Sequence, residues 1–387
     1  MKDLELNTVH ALLNHAVDSY SNANYQASLT TIIQAANAAQ HLEPRDHALE
    51  FRVFFYKMIN HSVLKKWSLA FSSSLQCMHL IENHHLIMDD ATQEIALCYF
   101  GSADAAMHLP HMCASAIPIH EKGMQWCQNN ASEFLLLAQH LKAKLLIGLE
   151  LFHEAVLVAE QTLAQKELRP AAFGCPLSCY QAVYIEALSW AKRPKDALRY
   201  VDRVVVTDPN IALLWFEKAK LHFRAGDYQL SVVACQQALW VRATDAECAL
   251  LCAQAHMLLQ QPQEALSVLK HARVYHPEDL KISLWFFLWN GELVSALKRN
   301  LVNQSWLSFV CLFVLGEYSL PKLLAQAKKQ DEYEQCLGQS YCFAALQSSE
   351  KTAQTYYQYC LQHSAFNSNE FLWATACLKM NKHDQPS

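Results

Sequence analysis

The strongest constraint on what this chain can fold into is a spacing. The segments VVVTDPN and RVYHPED carry prolines at positions 209 and 277, which are 68 residues apart, or twice 34. A 34-residue frame over this region gives three contiguous units, 178–211, 212–245 and 246–279, with no insertion. In the middle unit Trp215 takes the fourth place, Ala219 the eighth, Gly226-Asp227-Tyr228 the turn and Ala238 the twenty-seventh. Ala253, Ala265, Ala272 and Pro277 hold the eighth, twentieth, twenty-seventh and thirty-second places of the third unit, and Ala197 and Pro209 the twentieth and thirty-second of the first. A period of this length suits two helices joined by a short turn, a unit that buries its apolar side only by stacking on its neighbours. Where antiparallel helices cross at about 8–10 Å only a small side chain fits, and a proline stops the second helix. Gly226 is expected in a turn conformation closed to other residues, with Asp227 capping the helix that follows.

On these residues the block 178–279 resembles the tetratricopeptide repeat family. The resemblance implies an all-α fold, an α-solenoid in which helix hairpins coil into a right-handed superhelix, with first helices lining a concave groove. It extends loosely to both sides. Ala143, Phe152 and Ala155 bring 136–177 into an array spanning 136–279. Residues 1–135 read as degenerate helical pairs, with Ala16, Tyr25, Ser28 and Ala35 in one unit and Met58, Trp67, Ala70 and Cys77 in the next. Two prolines and a glycine between 168 and 178 predict an enlarged loop, and Pro110 and Pro118 are expected to interrupt the helical pattern. After 279 an early Gly291 shortens the next pair, and 280–387 reads as atypical capping helices.

Composition narrows the function. Hydrophobic residues make up 52% of the 387 and charged residues only 17%, below the roughly 25% usual in globular domains. A large interior or an adhesive surface follows. The net charge is −5 and the basic residues are scattered, which argues against nucleic acid. The first twenty residues carry acids and polar side chains where an export segment would need an unbroken apolar run, and the most apolar stretch, 306–315, is about half of what spans a bilayer; a cytoplasmic chain without membrane insertion is expected. The fourteen cysteines then read as reduced thiols packed like small apolar side chains.

No motif nominates a reaction. Eight dispersed glycines cannot build a phosphate cradle, and neither a nucleotide fingerprint nor a nucleophile elbow occurs. The segment HLPHMC, with His108, His111 and Cys113, together with His120 and the pair His84-His85, lacks the paired spacing of a zinc site. These histidines are expected in loops and core. The chain is therefore read as a non-enzyme with no cofactor and no metal.

What remains is the groove that the resemblance implies. Its inward places in the three units hold Cys179, Ala182, Glu186 and Ser189, then Leu213, Phe216, Lys220 and Phe223, then Glu247, Leu250, Gln254 and Met257. From Glu186 onward these are the candidate partner-binding residues. Family members that grip a peptide's terminal carboxylate do so with cations and asparagines, whereas Ala182, Glu186, Glu217, Glu247 and Leu251 stand at those places here. The acids favour a ligand carrying Lys or Arg instead. The expected function is a scaffold or adaptor that holds a protein or peptide within a larger complex; the alternative is a regulator whose superhelix changes shape when a peptide binds.

Overall fold

The computed structural model describes residues 2–42, 44–84, 92–109, 112–165, 176–277, 279–291, 306–330, 333–364 and 368–383. Among them are twenty α-helices and no strand. The chain divides into two compact units, Met1–Cys175 and Pro176–Ser387. That boundary lies inside the segment 136–279, within the proline- and glycine-rich stretch 168–178; residues 166–175 lie outside the described set.

The first unit holds α1 (Lys2–Ser21), α2 (Tyr25–Ala39), α3 (His47–Val63), α4 (Trp67–His84), α5 (Thr92–Met107), α6 (Cys113–Asn130), α7 (Leu135–Gly148) and α8 (Phe152–Leu163). The second holds α9 (Leu177–Trp190), α10 (Pro194–Thr207), α11 (Ala212–Ala225), α12 (Tyr228–Val241), α13 (Ala246–Leu258), α14 (Pro262–Tyr275), α15 (Leu280–Asn290), α16 (Trp306–Val314), α17 (Leu320–Ala327), α18 (Tyr333–Leu346), α19 (Glu350–His363) and α20 (Asn369–His383). Within each unit successive helices pack on one another, the stacking of an α-solenoid. Among the described residues no helix is long and apolar enough to cross a membrane.

The 34-residue frame reappears in the backbone. Ala23, Lys65, Glu150, Lys192, Gly226 and Gln260 all have positive φ, between 56 and 91°, and each stands at the fifteenth place of its repeat, just after the first helix. The left-handed residue lets the chain reverse and closes the helix end, as when Gly226 N–H reaches the Phe223 carbonyl and Asp227 N–H the His222 carbonyl at 2.9 Å. Only one of the six is glycine, so five units hold an L side chain where it costs roughly 1–2 kcal/mol. Replacing Gly226 with alanine should lower the unfolding free energy by about 1 kcal/mol, and Lys192→Gly should raise it by up to about 1 kcal/mol. Opposite signs in paired urea melts confirm this; equal signs refute it.

The crossing residues explain how the helices approach. Ala16, Ala219, Ala253 and Ala265 are fully buried. In two units a serine at the twentieth place binds back across the pair: Ser28 Oγ donates to the Ala16 carbonyl at 2.8 Å and Ser231 Oγ to the Ala219 carbonyl at 3.0 Å. Neighbouring units are tied as well, the Trp215 indole donating to the Pro209 carbonyl at 2.8 Å.

Two local expectations fail. Asp227 sits at the N-cap of α12 but its side chain makes no capping hydrogen bond; it lies 3.8 Å from the His222 ring instead. Pro118 does not interrupt a helix but lies inside α6 as its sixth residue, where it removes one intrahelical hydrogen bond while the buried Ala116, His120 and Gly123 keep the helix packed on both sides of it. Pro110 lies outside the described residues.

Candidate functional site

The candidate residues sit on α9, α11 and α13, the first helices of the strong block. The structure brings most of them to one face, and that face carries a helix of the same chain. α20 packs against α11 and α13. Leu372 and Ala376 enter the cluster formed by Ala219, Phe223, Leu251 and Ala255. Phe371 meets Trp190 edge to face at 5.7 Å.

Polar contacts fix the seat. Gln254 Nε2 donates to the Asn369 carbonyl at 3.4 Å, and Asn369 Nδ2 donates to the carboxylate and carbonyl of Glu247. Lys281 lies 3.2 Å from Glu247 and 3.3 Å from Glu370. Burial alone lowers the lysine's proton affinity, but these two carboxylates outweigh it and hold the Lys281 pKa above its ordinary value. At the other end of α20, Lys379 Nζ donates to the Arg224 carbonyl at 2.6 Å.

The candidates therefore separate. Phe223, Leu250 and Gln254 are buried, while Glu247 is exposed but engaged by Asn369 and Lys281. Lys220, expected between two phenylalanines, is also buried: it reaches Glu217 at 2.7 Å and lies 5.0 Å above the Phe216 ring. Burial pushes the Glu217 carboxyl pKa up, against the pull of Lys220. Glu186, Ser189, Leu213, Phe216 and Met257 remain half-buried.

Sequence reasoning did not find α20 as an occupant of this face. A signal was present, since EFLWATACL offers no polar side, unlike a terminal cap that must face water.

No chemistry gathers at this face. The nearest approach to a nucleophile is Cys252, whose thiol pKa is lowered to about 6 by the hydrogen bond with Cys235, opposed by burial and aided by His256. Cys252 is fully buried among Ala219, Phe223 and Leu251, so a substrate cannot reach it. All described cysteines are unbridged, and all but Cys179 and Cys377 are buried. Of the HLPHMC group, His111 and His85 lie outside the described residues. Cys113 donates to the Ala106 carbonyl at 3.3 Å, His120 Nε2 donates to the Ala138 carbonyl at 2.8 Å, and the His108 ring stacks on Trp67. Among the described residues no three His, Cys, Asp or Glu side chains gather as a metal ion requires.

No protein-family model matches the chain, and no curated protein matches it. Several solved structures do. A tetratricopeptide repeat protein from Parabacteroides merdae is 10% identical, with a TM-score of 0.37, covering 74% of this chain and 99% of its own. The C-terminal part of a TPR repeat-containing protein from Cytophaga hutchinsonii is 15% identical, with a TM-score of 0.36, covering 71% and 98%. The TPR2AB domain of yeast Sti1, solved in a complex with pHSP90, is 11% identical with a TM-score of 0.27, covering 73% and 98%. By its own helices and their packing the chain is an all-α helical-repeat protein, and it is similar over 71–74% of its length to these tetratricopeptide structures.

Proposed function

We propose that the chain is a protein–protein interaction scaffold that holds a partner protein or peptide on the face of α9, α11 and α13, beside α20. The observation that supports this reading is that the face already accepts a helix: apolar side chains seat Leu372 and Ala376, and Gln254, Glu247 and the Arg224 carbonyl anchor its two ends. The half-buried residues next to it, Glu186, Ser189, Leu213, Phe216 and Met257, are the contact surface for a segment with an apolar anchor. The chain acts without a cofactor and as a binder, not a catalyst.

The test is affinity purification from the native host with the intact chain and with a Glu186→Lys, Phe216→Ala variant. Glu186 faces the buried Arg224 and Phe216 lies under Lys220, so thermal melting of the variant is matched to the intact chain before recovery is read. A companion recovered with the intact chain should fall about tenfold or more with the variant. Equal recovery, with circular dichroism showing both proteins folded, removes the reading.

A second reading is a peptide-responsive regulator. α20 joins two clusters, with Leu372 and Ala376 on the α11 and α13 side and Trp373 and Ala374 among α15, α18 and α19. A ligand that displaced it would disturb both at once.

A further inference from the structure

A cleft in the first unit plays no part in the face described above. It has a volume of about 710 Å³ and is lined by α2, α3, α4 and the segment joining α2 to α3, a size within the roughly 300–1,000 Å³ of small-molecule sites. Its lining changes character along its length. Val53 and Phe54 from the middle of α3 and Leu75 from the middle of α4 are apolar, and Leu75 is 39% exposed. The end of α2, the start of α3 and the end of α4 instead bring His41, Arg45, His47, Glu50, His79 and His84. The His47 and His84 rings stack there at 3.6 Å, joining α3 to α4.

This polar end is rich in donors and short of free acceptors. His47 Nδ1 donates to the Glu50 carboxylate at 3.2 Å, while His41, His79 and His84 each bring a ring N–H even when neutral. Arg45 is 64% exposed and its Nε lies 3.9 Å from Glu50, beyond hydrogen-bond reach, so the guanidinium keeps its donors for a ligand. The neighbouring acids are engaged elsewhere. Asp46 accepts from the Leu49 N–H at 3.0 Å, and Glu82 holds Lys122 at 2.9 Å. Glu43, in the joining segment, lies outside the described residues.

We propose that this cleft binds a small amphiphilic anion, with its apolar body along Val53, Phe54 and Leu75 and its carboxylate or phosphate head held by Arg45, His41 and His79. Charge-assisted hydrogen bonds from a guanidinium are the strong ones, and an anionic head supplies the acceptors that the polar end lacks. A cationic head would meet Arg45 and find only Glu50, already shared with His47. The site is independent of the partner face of α9, α11 and α13.

Isothermal titration calorimetry of the full chain uses octanoate, octyl phosphate, octanol and octylamine, probes that share one apolar body. Both anions should bind about tenfold tighter than octanol, and octylamine more weakly than octanol. The tighter of the two anions identifies the head as carboxylate or phosphate. Arg45→Gln should weaken the anions about tenfold and leave octanol unchanged, whereas Leu75→Ser should weaken anions and octanol alike by about fivefold. Both positions are exposed, so thermal melting of the variants should match the parent. Octanol or octylamine binding as tightly as the anions overturns the proposal. Unchanged anion affinity in either variant, or no binding of either anion at millimolar concentration, overturns it too.

Discussion

Replacing Trp373 with alanine is expected to cost about 3–5 kcal/mol of stability, the usual range for emptying a large aromatic site in a core. Trp373 is buried, its ring lies 5.6 Å from Trp285 and 5.9 Å from Trp289, and its indole donates to the Tyr357 hydroxyl at 3.3 Å. The loss should not stay local. α20 is held on its other side by Leu372 and Ala376 against α11 and α13, so loosening Trp373 should also raise amide exchange in 212–225 and 246–258. Trp240→Ser is the control, because that indole is 78% exposed and its removal should leave stability within about 0.5 kcal/mol. Similar urea midpoints for the two variants would show that α20 is not part of the core.

The second large effect is on acid stability in the first unit. His120, fully buried on α6, spends its Nε2 proton on the Ala138 carbonyl, and its Nδ1 has no hydrogen-bond partner. Burial lowers its pKa to about 4, and burial followed by Lys144 lowers that of His140 to about 3. Both lie below the roughly 6.5 of an unfolded chain, so the folded state binds fewer protons than the unfolded one. The stability tied to neutral imidazoles is therefore complete above about pH 6.5 and is lost as the pH falls toward the folded values. At pH 5 each ring should cost about 2 kcal/mol. Urea unfolding followed by circular dichroism at pH 7 and pH 5 measures this, and His120→Gln, which keeps a donor for Ala138, should reduce the difference by about 2 kcal/mol. An unchanged pH dependence in that variant would count against the assignment.

Much of the architecture was legible because the repeat is a local device. A small residue at the eighth or twentieth place, or a reversal at the fifteenth, concerns side chains within one hairpin, and such signals survive in degenerate units. That is why Ala16 with Ser28 reproduces the hydrogen bond of Ala219 with Ser231. Asp227 and Pro118 misled because their effect depends on geometry finer than residue type: a side-chain rotamer for the first, and position within the helix for the second.

The inner face was legible only as a list of positions. Its occupant lies far along the chain, with Gln254 and Asn369 separated by 115 residues and Arg224 and Lys379 by 155. No periodicity links such pairs. Lys220 was misplaced for a related reason, since Glu217 sits three residues before it and claims its charge once both are buried.

The separation has a bearing on synthesis. When residues 178–279 leave the ribosome, the segment that will cover Phe223, Leu251 and Ala255 has yet to be translated. At about 5–20 residues per second, that apolar trough stays open to solvent for seconds. Through that interval the repeat block carries its apolar surface uncovered, and the arrival of α20 ends the exposure.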